Sequence, residues 1–101
     1  MRPPVNAARG EALATLAGEP RRLCLTLGAL AELEAAFGLH GWEALSERLR
    51  ALSPGDLAQV LAALLRGGGE EEAAAALDLL PVTPREAADA VAAGLAAAAL
   101  A

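Results

Sequence analysis

Leu25-Thr26-Leu27-Gly28-Ala29-Leu30-Ala31-Glu32-Leu33-Glu34 is the stretch on which the fold turns. Up to Leu27 the chain alternates, with Leu23, Leu25 and Leu27 on one face and Cys24 and Thr26 on the other, the pattern of a strand covered on one side. From Ala29 the period changes. Leu30, Leu33 and Phe37 follow helical spacing, and Gly38 stands where a left-handed residue ends a helix. A strand that runs through one glycine into a helix points to an α+β fold.

Upstream, Glu11 to Leu16 and Arg21 to Leu27 have strand character on either side of Ala17-Gly18-Glu19-Pro20, which predicts a β-hairpin. A lone hairpin is marginal in water, so it must lie against the helices. Residues 1–10, with two prolines and a glycine, read as a flexible N-terminal tail. Downstream, Gly41 precedes an apolar stripe at Trp42, Leu45, Leu49 and Leu52. Ser53-Pro54-Gly55-Asp56 then supplies a capping hydroxyl, a proline for the first helical position and an acid for the first turn. Leu57, Val60, Leu61, Leu64 and Leu65 form the stripe of that third helix, which Gly67-Gly68-Gly69 is expected to stop as a mobile linker. A fourth helix is expected from Glu70 to Leu80, ended by Pro81, and a fifth from Pro84 after the capping box Thr83-Pro84-Arg85-Glu86. The expected architecture is α+β, an N-terminal β-hairpin packed on a small bundle of four to five helices. Residues 11–101 form its single domain, and 67–69 are its point of mobility.

Apolar residues make up 55% of the chain and aromatics 2%, so the core must be built from leucine and alanine. The formal net charge is −5, which opposes nucleic-acid binding because such binding needs a basic face that displaces counterions. Arg21 and Arg22 are adjacent and would point to opposite faces of a strand, so they form no patch. One cysteine, Cys24, excludes an intrachain disulfide and any multi-thiolate site. The N-terminus lacks the continuous apolar segment of a signal peptide. The uncharged run from Ala90 to Ala101 falls well short of the roughly 20 residues a bilayer span requires. A soluble, cytoplasmic protein with no membrane partner is the expectation.

No motif equips the chain for catalysis, a cofactor, a metal or a small-molecule substrate. His40 lacks partners in sequence and reads as an exposed loop residue. Cys24 lacks an electropositive setting and reads as a buried strand thiol. Glu32 and Glu34 lie about 200° apart around a helix and cannot form a paired acid site. The run Glu70 to Glu72 has none of the alternation of a calcium loop and suits a helix start. The three glycines have no preceding strand and no following Lys-Ser/Thr, so they are no phosphate loop. Trp42 is expected in the core with its N–H at the edge, the alternative being a contact with a partner. The alanine-rich fifth helix, with Val91 and Leu95 on its apolar face, is suited either to internal packing or to another helix. Trp42, Val91 and Leu95 are therefore the candidate partner-binding residues.

Arg9-Gly10-Glu11, the hairpin and above all Leu27-Gly28-Ala29-Leu30-Ala31-Glu32-Leu33-Glu34-Ala35-Ala36-Phe37-Gly38 resemble a known family. It is that of small proteins encoded in the tail-gene clusters of gene transfer agents and tailed phages, grouped with tail assembly chaperones and sometimes labelled tail tube proteins. The likeness continues through Leu57 to Gly67. It implies a non-enzymatic role: holding the tape measure protein soluble and aiding tube assembly in the bacterial host cell. The alternative it carries is a structural tail component retained in the mature particle. Other tail proteins, and further copies of the chain, are the implied partners. The short glycine run, the acidic run after it and Pro81 depart from the family pattern.

Overall fold

The computed structural model describes residues 5–100, with the side chain of Leu100 left aside. A 3-10 turn, Ala7–Arg9, leads into strands β1 (Glu11–Leu16) and β2 (Glu19–Cys24). Five α-helices follow: α1 (Leu27–Phe37), α2 (Trp42–Leu49), α3 (Pro54–Gly67), α4 (Glu71–Ala75) and α5 (Pro84–Leu100), with a 3-10 turn at Leu77–Leu79. The expected hairpin-and-bundle α+β architecture is the one observed.

The hairpin is tighter than the sequence suggests. Glu11 pairs with Cys24 and Leu16 with Glu19, so the connection is only Ala17-Gly18, and Pro20 lies inside β2 opposite Thr15. Both connecting residues have positive φ, 53° and 82°, the requirement of the two-residue turn whose twist matches the strands. Proline is tolerated because the sheet has only two strands, so β2 has a free edge. The strand also ends early. Cys24 is its last residue, Thr26 caps α1 by accepting a hydrogen bond from the Ala29 N–H at 3.0 Å, and Leu27 opens the helix almost fully exposed. The alternation read through Leu27 thus continues three residues past the strand, because a capping threonine outcompetes further pairing.

The other helix ends follow the capping chemistry. Gly38 closes α1 with φ 65°. Ser53 and Asp56 form the reciprocal box that opens α3. Thr83 and Glu86 do the same for α5, with bonds of 3.1 and 3.3 Å. The Glu86 carboxylate also accepts from the Ala17 N–H at 3.5 Å, tying α5 to the hairpin turn. The core is a leucine cluster. Leu16 and Leu23 from the hairpin, Leu33 from α1, Leu45 from α2 and Leu61, Leu64 and Leu65 from α3 are fully buried, and Ala90 and Val91 close it from α5. Helix α3 is the central element, packed on α1, β2, α4 and α5. The expected fourth helix is short, giving way to the 3-10 turn after Ala75, since an alanine run has few large side chains to anchor it.

Within residues 5–10, Asn6 caps the first turn, its own N–H donates to the Glu11 carboxylate at 2.7 Å, and Gly10 is buried. Residues 1–4 lie outside the described part. A Cβ on Gly67 would stand 2.0 Å from the Cys24 carbonyl oxygen, and one on Gly68 would stand 2.1 Å from that of Arg22. These residues are glycine because α3 ends pressed against the backbone of β2.

Candidate functional site

Most of the charged side chains are engaged in holding the fold. Glu70 is almost fully buried beneath β2, where it accepts from the Arg22 N–H at 2.8 Å and faces the Arg21 guanidinium at 3.5 Å. The Arg22 side chain donates in return to the Gly68 carbonyl at 3.0 Å. This clasp locks the hairpin to the α3–α4 turn, so Glu70 serves packing, and Arg21 and Arg22 are both turned inward instead of forming a basic surface. Glu32 holds Arg66 in a two-point ion pair that joins α1 to α3, and Glu34 accepts from the Gly41 N–H at 2.8 Å across the α1–α2 turn. Their separate partners agree with the argument that they cannot act together.

Arg48 and Asp56 form a second two-point pair, 2.9 and 3.0 Å, and the guanidinium stacks 4.5 Å from the centre of the Phe37 ring. The Arg48 hydrogen bond, helped by Ser53, holds the Asp56 carboxyl below its ordinary range. Cys24 is buried with its thiol 3.6 Å from the Arg9 carbonyl oxygen, and His40 is exposed in the α1–α2 turn. Burial, then the Glu11 carboxylate, pushes the thiol's pKa up, with Arg9 partly offsetting them. Cys24 should therefore alkylate much more slowly than free cysteine at neutral pH, with the inflection of its pH–rate profile displaced upward. A stopped-flow trace with a thiol reagent matching free cysteine in rate and inflection would contradict this placement. No group of three or more histidine, cysteine or acidic residues suited to a metal occurs among the described residues. No helix among them is long and apolar enough to cross a membrane.

The surface features suited to a partner are two apolar grooves. The larger, about 390 Å³, runs between the first half of α3 and the segment from Leu77 to Ala87, with Leu57, Leu61, Leu77 and Val82 along it and Asp78 at its rim. The smaller, about 290 Å³, is bounded by Leu25, Trp42, Leu49 and Leu95, with Ser46 and Arg50 as its polar members. Two of the three candidate partner-binding residues, Trp42 and Leu95, are thus brought together. Val91, the third, is 3% exposed and belongs to the core. Trp42 is not the core residue expected: it is 60% exposed. It is the first residue of α2, and the stripe turns inward only at Leu45. Nothing in the sequence marks the larger groove, because it depends on the exposed 3-10 turn that replaces the end of the fourth helix.

No curated protein and no solved structure gives a significant match to the chain. The family model described as "Phage tail tube protein, GTA-gp10" matches residues 9–101, from the turn before the hairpin through α5. That span is nearly the whole chain and contains the hairpin, the α3 clasp and both grooves, and a phage tail role follows. The chain belongs to the phage tail tube protein GTA-gp10 family.

Proposed function

We propose that this chain is a non-enzymatic structural component of a phage-like tail tube, working by contact with other tail proteins and with further copies of itself. The observation that carries the reading is the tube-family match over residues 9–101. Surface chemistry supports it. A small domain that leaves a tryptophan and two apolar grooves open has contact surface to offer beyond its own core. Trp42 and Leu95 are the contact residues we assign. The chain would be made in the bacterial cytoplasm and carried into the particle.

A second reading, an assembly chaperone that keeps the tape measure protein soluble and then departs, is favoured by the larger groove. Its length along α3 and its apolar lining suit a helical segment of a partner. Complementation separates contact from folding. Because Trp42 is exposed, Trp42→Asp should change stability by no more than about 0.5 kcal/mol. It should nevertheless reduce tail formation at least about tenfold in a strain lacking the gene. Tails formed at wild-type yield by a folded Trp42→Asp protein would refute the assignment. Unchanged solubility of the tape measure protein on co-expression would remove the chaperone reading.

A further inference from the structure

The two outer edges of the hairpin differ. A two-residue turn makes Leu16 and Glu19 a hydrogen-bonded pair, and bonded and non-bonded pairs then alternate along the antiparallel ladder. Glu11, Leu13 and Thr15 of β1, and Pro20, Arg22 and Cys24 of β2, therefore turn their backbone groups outward. The edge of β2 is closed. Pro20 has no N–H, the Arg22 N–H is held by Glu70 at 2.8 Å, and the Arg22 and Cys24 carbonyl oxygens press on Gly68 and Gly67. On β1 the first position is closed too, since the Glu11 N–H donates to the Asn6 carbonyl at 3.2 Å. The next two are open. The outward N–H and C=O groups of Leu13 and Thr15 have no hydrogen-bond partner among the described residues, and both residues are exposed, Leu13 by 54%. No lysine, proline or bulge guards this stretch. Charge beside it is one-sided. Glu11, Arg21 and Arg22 are each in an ion pair, whereas Glu19, exposed next to the turn, has none among the described residues.

We propose that β1 takes an added strand from a different protein: an extended segment pairs its backbone with Leu13 and Thr15, sets an apolar side chain beside Leu13 and carries lysine or arginine at the turn end, near Glu19. The open row of donors and acceptors is matched by the backbone of another strand, with side-chain contacts choosing which one. Charge decides between the candidates for that strand. The chain's net charge is −5, so a second copy meets like charge at this edge while a basic segment is attracted to it. The inference rests on the tail-component reading only for the source of the strand, which it places in another tail protein.

Nuclear magnetic resonance of the isotope-labelled full chain tests this, with a synthetic alternating threonine–valine peptide ending in two lysines as the probe. As the probe is added, the Leu13 and Thr15 amide signals should shift and their hydrogen exchange should slow at least about tenfold, because the outward N–H groups become bonded. The same peptide with glutamates in place of the lysines should bind about tenfold more weakly. N-methylation of the probe's pairing amides should abolish the effect. Leu13→Lys and Thr15→Pro should abolish it as well. Neither residue's N–H belongs to the hairpin ladder and both are exposed, so circular dichroism should stay at the wild-type signal. If Thr15→Pro unfolds the hairpin, Leu13→Lys decides. Unshifted Leu13 and Thr15 signals, shifts confined to either apolar groove, or an N-methylated or glutamate probe that binds as well would each overturn the proposal. So would slow exchange at these two amides caused by self-association without any probe, which would make the occupant a second copy. Such a failure leaves the tail reading standing, since that is read from tail yield in cells and not from purified protein.

Discussion

Gly67→Ala is expected to destabilise the protein by about 3 kcal/mol or more, against the sign that helix propensity alone would give. Gly67 is the last residue of α3 and has no positive φ, so in an open helix alanine would stabilise by up to about 1 kcal/mol. The added methyl has nowhere to go. It would meet the Cys24 carbonyl oxygen at 2.0 Å, and the obstacle is backbone, which cannot swing aside as a side chain would. Relief requires β2 to retreat from α3, which strips Leu23 from the core and opens the Glu70 clasp. For a domain of this size the loss corresponds to a fall in melting temperature of roughly 15 °C. Gly68→Ala should be comparable, with the Arg22 carbonyl at 2.1 Å. Gly69→Ala is the internal control. Its φ is +84° but its Cβ would meet nothing within 4 Å, so only the left-handed strain of about 1 kcal/mol applies. Thermal melts of the three variants give the order; equal small effects would mean that the glycines are a linker after all.

Leu64→Ala should cost about 3 kcal/mol, the second large effect. Leu64 is fully buried on α3, and α5 crosses it at Gly94, whose absent side chain makes room for the leucine. A Cβ on Gly94 would lie 2.8 Å from Leu64 Cδ1, so Gly94→Ala alone overpacks the crossing and should cost about 1–2 kcal/mol. The two changes are coupled. With Leu64 shortened, the alanine methyl at 94 partly fills the cavity, so the double variant should be more stable than the sum of the single losses predicts. Denaturant melts of the four proteins measure this coupling, and strict additivity would place the α3–α5 crossing elsewhere.

What was legible in the sequence was the chemistry of boundaries. Gly38, Ser53-Pro54-Asp56 and Thr83-Glu86 mark helix ends through local hydrogen bonds that involve only a few neighbouring residues, and each is found in place. The leucine stripe of α3 was legible for a similar reason, since five large apolar residues at helical spacing have one way to be buried. What the sequence concealed is long-range. Nothing near Gly67 announces that β2 will lie against it, so the sequence does not show that Gly67 and Gly68 pack against strand backbone. Trp42 reads as core because it continues the Leu45 and Leu49 stripe, yet as the first residue of α2 it overhangs the end of the bundle. Val91 reads as suited equally to internal packing or to another helix because its own helix is alanine-rich, and the thinness of that helix is what lets it approach α3 closely enough to bury Val91. The Trp42–Leu95 groove needs α2 and α5 to converge, although α3 and α4 lie between them in the chain.

The central claim, that this chain is retained as a structural part of the tail, is tested most directly by counting its copies in purified particles. Quantitative mass spectrometry of tails freed from cell lysate, with isotope-labelled peptides of this chain as standards, gives that number. The account predicts many copies per particle, in fixed ratio to the other tail proteins. Particles with complete tails and no trace of the chain, from cells in which it is abundant, would contradict it.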